Sequence, residues 1–145
     1  MEVPTLVKRI AEECARVEGF FLTPEEAHTR RIRYPSAAQR NHNPGNIMDF
    51  AHWKATYNSE TGRGEFRLQH YETDAIGWAA EYAWWLRRVS EGYTLRSAIH
   101  RKAPKGHGDN DPEKYTRIVA ERANIDPDKK LSELVYAKPA KQSTS

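Results

Sequence analysis

From Thr73 to Glu91, apolar side chains occupy almost the whole circumference of a helical projection. Ile76, Trp78, Ala79, Ala80, Tyr82, Ala83, Trp84, Trp85, Leu86 and Val89 leave only a narrow polar strip through Asp74, Glu81 and Arg88. A helix with apolar residues on most sides is expected to be central, with other elements packed around it. Thr73 or Asp74 supplies the cap at its start.

A second stripe predicts a helix over residues 4 to 19. It runs through Val3, Leu6, Val7, Ile10, Ala11, Cys14, Val17 and Phe21, with Pro4 in the first turn and Gly19 at the end. Further helices are expected over 93–102, from Pro112 or Glu113 to about Asn124, and near Leu131 to Val135. Residues 56–72 read as a small hairpin, in which Glu65 to Gln69 alternate polar and apolar after a Ser-Glu-Thr-Gly-Arg-Gly turn. Pro24 and Pro35 bracket either a short helix or an irregular loop. The class expected is mainly α with a small β element. At 145 residues the chain is expected to form one domain over 1–137, followed by a mobile polar tail over 138–145.

Composition excludes several chemistries. A single cysteine, Cys14, allows no internal disulfide, and its place in the apolar stripe suits a small core residue better than a nucleophile. No window approaches the length of a membrane span, and the N-terminus lacks the pattern of a secretory signal. The six histidines show no metal-ligand spacing, so neither a metal nor a cofactor is expected. A net charge of +3 mildly favours a polyanionic partner.

Two short segments carry the chemistry. Glu18 sits about 60° from the centre of the first apolar stripe. Glu12 points away from that centre, and Glu13 flanks the other side. Glu18 is thus the carboxylate best placed to be half-buried, where a raised pKa would let it serve as a proton donor. About two dozen residues on, Arg40-Asn41-His42-Asn43-Pro44-Gly45-Asn46-Ile47 places three asparagines on a turn bent by Pro-Gly. Amides donate and accept hydrogen bonds without bringing charge, which suits sugar hydroxyls and N-acetyl groups. Turn formation alone would also use Asn, Pro and Gly.

Glu18-Gly19-Phe20, the Asn-Pro-Gly-Asn loop, Gly77 in the apolar helix, Tyr93-Thr94-Leu95, Ala103-Pro104 and Asn110-Asp111 leading to Tyr115 occur in that order. Together they resemble the lysozyme-like lytic transglycosylases and muramidases of bacteriophages and prophages, over roughly residues 5 to 135. The resemblance implies a lysozyme-like helical domain with a small hairpin. It implies cleavage of the β-1,4 bond between N-acetylmuramic acid and N-acetylglucosamine, with peptidoglycan glycan strands as partner. Glu18 matches the catalytic glutamate. Asn41, Asn43 and Asn46 match the cleft loop, and Asn110 and Tyr115 match a late segment near the acid.

Three departures stand out. His42 replaces an asparagine, the segment between Glu18 and Arg40 is long and basic, particularly around residues 28–35, and the insertion before Asn110 is long. A phage origin would account for a protein made in the cytoplasm yet acting on the wall, in a virion or at lysis. A monomer is expected.

One glutamate suffices for a lytic transglycosylase, acting first as acid and then as base toward the sugar's C6 hydroxyl. A hydrolase would need a second carboxylate about 5 to 9.5 Å away, and Asp49, Glu60, Glu65 and Asp74 are candidates. Outside this class, Arg30, Arg31, Arg33, Arg87, Arg88, Arg101 and Lys102, interleaved with Tyr34 and Trp84, would suit a nucleic-acid-binding module. An inactive virion protein of the same fold is the other alternative.

Overall fold

A computed structural model of the chain describes residues 2–20, 25, 36–105 and 110–137. The expected tail, the basic run over 28–35 and part of the insertion before Asn110 lie outside the described residues.

Helix α1 (Thr5–Val17) buries Val7, Ile10, Ala11, Cys14 and Ala15 along the stripe its sequence sets out. It ends where Gly19 adopts φ +86°, a conformation that suits glycine best. Gly19 N–H then reaches Arg16 O at 3.2 Å and Phe20 N–H reaches Ala15 O at 2.8 Å. This is the paired closure of a Schellman turn, and Phe20 completes it by packing with Ala15 and Ala38. Its consequence is that Glu18, the last residue before the reversal, is fixed at the end of a rigid helix.

A short helix α2 (Ala37–Arg40) is capped by Ser36, whose Oγ accepts from Gln39 N–H. It closes by the same geometry as α1. His42 N–H bonds to Gln39 O, Asn43 N–H bonds to Ala38 O, and His42 takes φ +49°. Helix α3 (Phe50–Ala55) follows, capped by Asp49, and has no buried residue. The six-residue helix is absent from the sequence expectations.

The hairpin expected over 56–72 reduces, among the described residues, to isolated antiparallel pairings of Asn58 with Arg63 and Met48 with Leu68. Alternation at Glu65–Gln69 has no second layer to cover it, and Phe66 stays 67% exposed. Without a buried face no extended ladder forms.

Helix α4 (Asp74–Ser90) starts at Thr73, whose Oγ1 accepts from Ile76 N–H at 3.2 Å. Here the expected polarity holds at Asp74, Trp85 and Val89 but not at Glu81, Arg88 or Ile76. Glu81 and Arg88, assigned to a polar strip, are 0% and 3% exposed, whereas Ile76 is 48% exposed. The buried stripe is Gly77, Glu81, Trp85, Arg88 and Val89. Other elements therefore do not enclose α4 on all sides. Its inward polar side chains have partners, although Arg88 Nε is buried without a hydrogen bond. Trp85 Nε1–H donates to Glu81 Oε1 at 2.8 Å. Arg88 bonds to Glu91 and lies over the rings of Trp84 and Tyr93.

Helix α5 (Leu95–Lys102) opens with a reciprocal Thr94–Ser97 capping box, α6 (Pro112–Ala123) with Asp111, and α7 (Leu131–Val135) closes the described chain. α1 packs on α6 and α4, and α5 on α6. Their shared core includes Ile10, Cys14, Trp85, Leu95, Ile99, Val119 and Leu131. The described chain is thus mainly α, and none of its described helices is long and apolar enough to cross a membrane.

Candidate active site

The two segments singled out in the sequence meet. Asn46 Nδ2–H donates to Glu18 Oε2 at 2.8 Å and lies 3.4 Å from the Glu18 carbonyl oxygen. Asn46 holds this position with φ +50°, a left-handed conformation that Asn tolerates better than most residues. Its Oδ1 is buried and has no hydrogen-bond partner. Glu18 itself is half-buried. Ser36, which caps the short helix leading into the loop, adds a tie to the end of α1, its Oγ–H donating to Gly19 O at 2.7 Å.

Beneath the helix end, the Cys14 carbonyl accepts from Glu18 N–H at 3.0 Å and from Tyr115 Oη–H at 3.2 Å. Tyr115 is 7% exposed. Burial, and then the charges nearby, push its phenol well above its ordinary range. Its hydroxyl therefore stays a neutral donor that braces the turn carrying Glu18. Cys14 is fully buried and its thiol is pushed up strongly by that burial, which argues against a nucleophile.

Asn43 requires a correction. It is 0% exposed. Its Nδ2 donates to the carbonyls of Ile47 and Gln69 at 2.8 Å each, and its Oδ1 accepts from Ile47 N–H. An amide fully engaged inside the protein holds the loop in shape, and no polar atom is left to meet a sugar. Tyr115 likewise acts through the helix end, since its hydroxyl already serves Cys14 O.

Two other residues have partners elsewhere. Asn41 bonds to Ala37 O and lies beside His70, and exposed Asn110 bonds to Pro104 O.

His42 is accounted for by geometry. It occupies the left-handed residue that ends α2, and its Nδ1 lies 2.7 Å from Asp74 Oδ1. Its carbonyl rests against Gly77, where an added Cβ would come within 1.8 Å of it. The pair clips the loop to the start of α4.

Three of the four candidate second carboxylates have other partners. Asp49 caps α3 and bonds to Arg67, and Asp74 faces His42. Glu65 faces His52, and Glu60 sits in the exposed turn after Asn58. Glu13, the other acid near the end of α1, bonds to Arg16 at 2.9 Å.

A buried polar group supports the loop from below. Glu81 Oε2 and Gly45 O both accept from Lys102 Nζ, at 3.3 and 2.6 Å. The sequence pattern places Lys102 in a basic set and Glu81 in a polar strip of its helix. The one sequence signal for their burial was Gly45, since only a residue without Cβ lets a carboxylate approach the turn this closely. Among the described residues no group of three or more His, Cys, Asp or Glu side chains is arranged to hold a metal. A surface depression lined by Arg96, Glu113, Arg117 and Pro127 contains none of the residues above.

No family model, curated protein or solved structure matches the chain.

Proposed function

We propose that the protein is a peptidoglycan-degrading glycosidase of lysozyme-like fold. It cleaves the β-1,4 bond between N-acetylmuramic acid and N-acetylglucosamine as a lytic transglycosylase. The observation that carries this reading is the 2.8 Å contact of Asn46 with Glu18. It joins a carboxyl at a helix end to the neutral amide of Asn46.

In the proposed reaction the Glu18 carboxyl gives its proton to the glycosidic oxygen as the C1–O bond breaks. The resulting carboxylate takes the proton from the C6 hydroxyl as that oxygen bonds to C1. The sugar ends as a 1,6-anhydro ring, the acid is regenerated, and water takes no part. Asn46 orients the carboxyl throughout. The engagement of Asp49, Glu65 and Asp74 elsewhere supports a one-glutamate route over hydrolysis.

A nucleic-acid interface finds less support. Two of its seven basic residues, Arg88 and Lys102, have side chains only 4% and 6% exposed. The wall-directed reading keeps the expectation of a phage protein delivered in a virion or at lysis. Mass spectrometry of muropeptides after digestion tests the proposal. Anhydro-muramyl ends are expected. Reducing ends would assign a hydrolytic muramidase, and intact glycan would leave an inactive relative of the fold.

A further inference from the structure

The geometry points to Lys102 as a positioning residue for the Glu18 centre, acting through the Pro44–Gly45 turn and Asn46. This inference rests on the function proposed above.

Lys102 ends α5, Glu81 lies midway along α4, and both side chains are buried, at 6% and 0% exposure. A buried ion pair often adds little net stability, because desolvation offsets the attraction. What this pair does supply is a fixed point. Its ammonium donates to Gly45 O at 2.6 Å and to Glu81 Oε2 at 3.3 Å, and lies 4.9 Å over the Trp84 ring. Glu81 is itself fixed by the Trp85 indole N–H.

The turn is held from both directions. Lys102 pulls on its carbonyl, and the Glu81 carboxylate presses on its α-carbon so closely that a Cβ at Gly45 would fall 1.6 Å from Oε2. The next residue is Asn46, whose N–H returns to Asn43 O at 3.1 Å and whose amide meets Glu18. The height of the turn over α4 therefore sets where the Asn46 amide points. Lys102 is shielded from any substrate, so its effect on the reaction passes through Asn46.

The test combines nuclear magnetic resonance of ¹⁵N-labelled protein with kinetics on purified peptidoglycan. The neutral pair K102M/E81Q removes the ammonium without leaving a buried charge. The expected result is displaced Asn46 side-chain amide cross-peaks and a kcat lowered about ten- to a hundredfold, with KM within about twofold. K102R keeps the charge facing Glu81 but not the ammonium's position. It should fold, shift the same peaks by less, and give an intermediate kcat.

A purely structural role would lower the melting temperature while leaving kcat per folded molecule and the Asn46 peaks unchanged. Asn46 peaks at their parent positions in every variant that folds, the arginine variant alone if the double variant does not, would overturn the inference. The resonance arm needs no turnover, so a parent protein inactive on peptidoglycan would remove the proposed function while still deciding whether Lys102 sets Asn46.

Discussion

Asn46 and Glu18, 28 residues apart in the chain, are joined by a 2.8 Å hydrogen bond from amide to carboxylate. Each partner arrives by a separate backbone reversal, Glu18 by the Schellman closure at Gly19 and Asn46 by its own left-handed backbone. Side chains held this way lose little further freedom on meeting a substrate, which is the condition for an oriented proton donor.

Replacing Glu18 with Gln should lower wall-clearing activity about 10²- to 10⁴-fold, the usual contribution of a general acid. The fold should survive, because the helix end is closed by backbone bonds and by Tyr115, and a Gln carbonyl still accepts from Asn46. Turbidity loss of a cell-wall suspension and circular dichroism check the two halves. Clearing at the parent rate by a folded E18Q protein would remove Glu18 from the reaction.

Asn46→Gly separates the amide from the backbone it sits on. Glycine adopts φ near +50° without strain, so stability should change by less than about 1 kcal/mol. Activity should fall about ten- to a hundredfold through loss of the contact to Glu18. Asn43→Gly should behave oppositely. Asn43 makes three internal hydrogen bonds, and their loss should destabilise the fold by about 2 kcal/mol or more. Chemical denaturation together with activity per folded molecule would tell the two asparagines apart.

These asparagines also mark where the sequence stops being informative. Both are Asn in one six-residue loop, yet one faces Glu18 and the other is sealed inside, a division made by the backbone at Asn43 to Asn46. The helices α1, α4, α5, α6 and α7 are legible because apolar periodicity and caps agree. α3 is hidden because its six residues bury nothing, so no stripe marks it. Glu81 and Arg88 mislead because a polar pattern cannot distinguish a solvated face from buried groups that are hydrogen-bonded or stacked. For Glu81 only a distant partner, Lys102, resolves that.

Asp49 gives the fold a defined pH response. The His52 backbone N–H at the start of α3, and then Arg67, hold its carboxyl below the ordinary value of 3.8. A depressed folded-state value means its stabilising effect is present above 3.8 and fades as pH falls through the lower folded value. Urea midpoints should therefore decline below about pH 4. In D49N, which keeps a capping side chain without the charge, that decline should be shallower. It should not vanish, because Asp128 is likewise held low by Arg96. An identical slope in parent and variant would show that Asp49 is not titrating with the fold.

The glycines offer a contrast between space and conformation. At Gly77 an added methyl would lie 1.8 Å from His42 O and 2.9 Å from Pro44 Cδ, both in the loop that carries Asn46. Alanine's better helix propensity, worth about 1 kcal/mol, cannot offset that overlap. G77A should lose about 2 kcal/mol or more, since the loop must lift off α4. At Gly62 nothing lies within 4 Å, but φ is +71°, so G62A should lose only about 1 kcal/mol, from backbone strain. The two also differ in their effect on the reaction. G62A should keep parent activity per folded molecule, whereas lifting the loop in G77A displaces Asn46 from Glu18 and should lower it. Equal activity per folded molecule in both variants would show that the seat of the loop on α4 does not control the Glu18 centre.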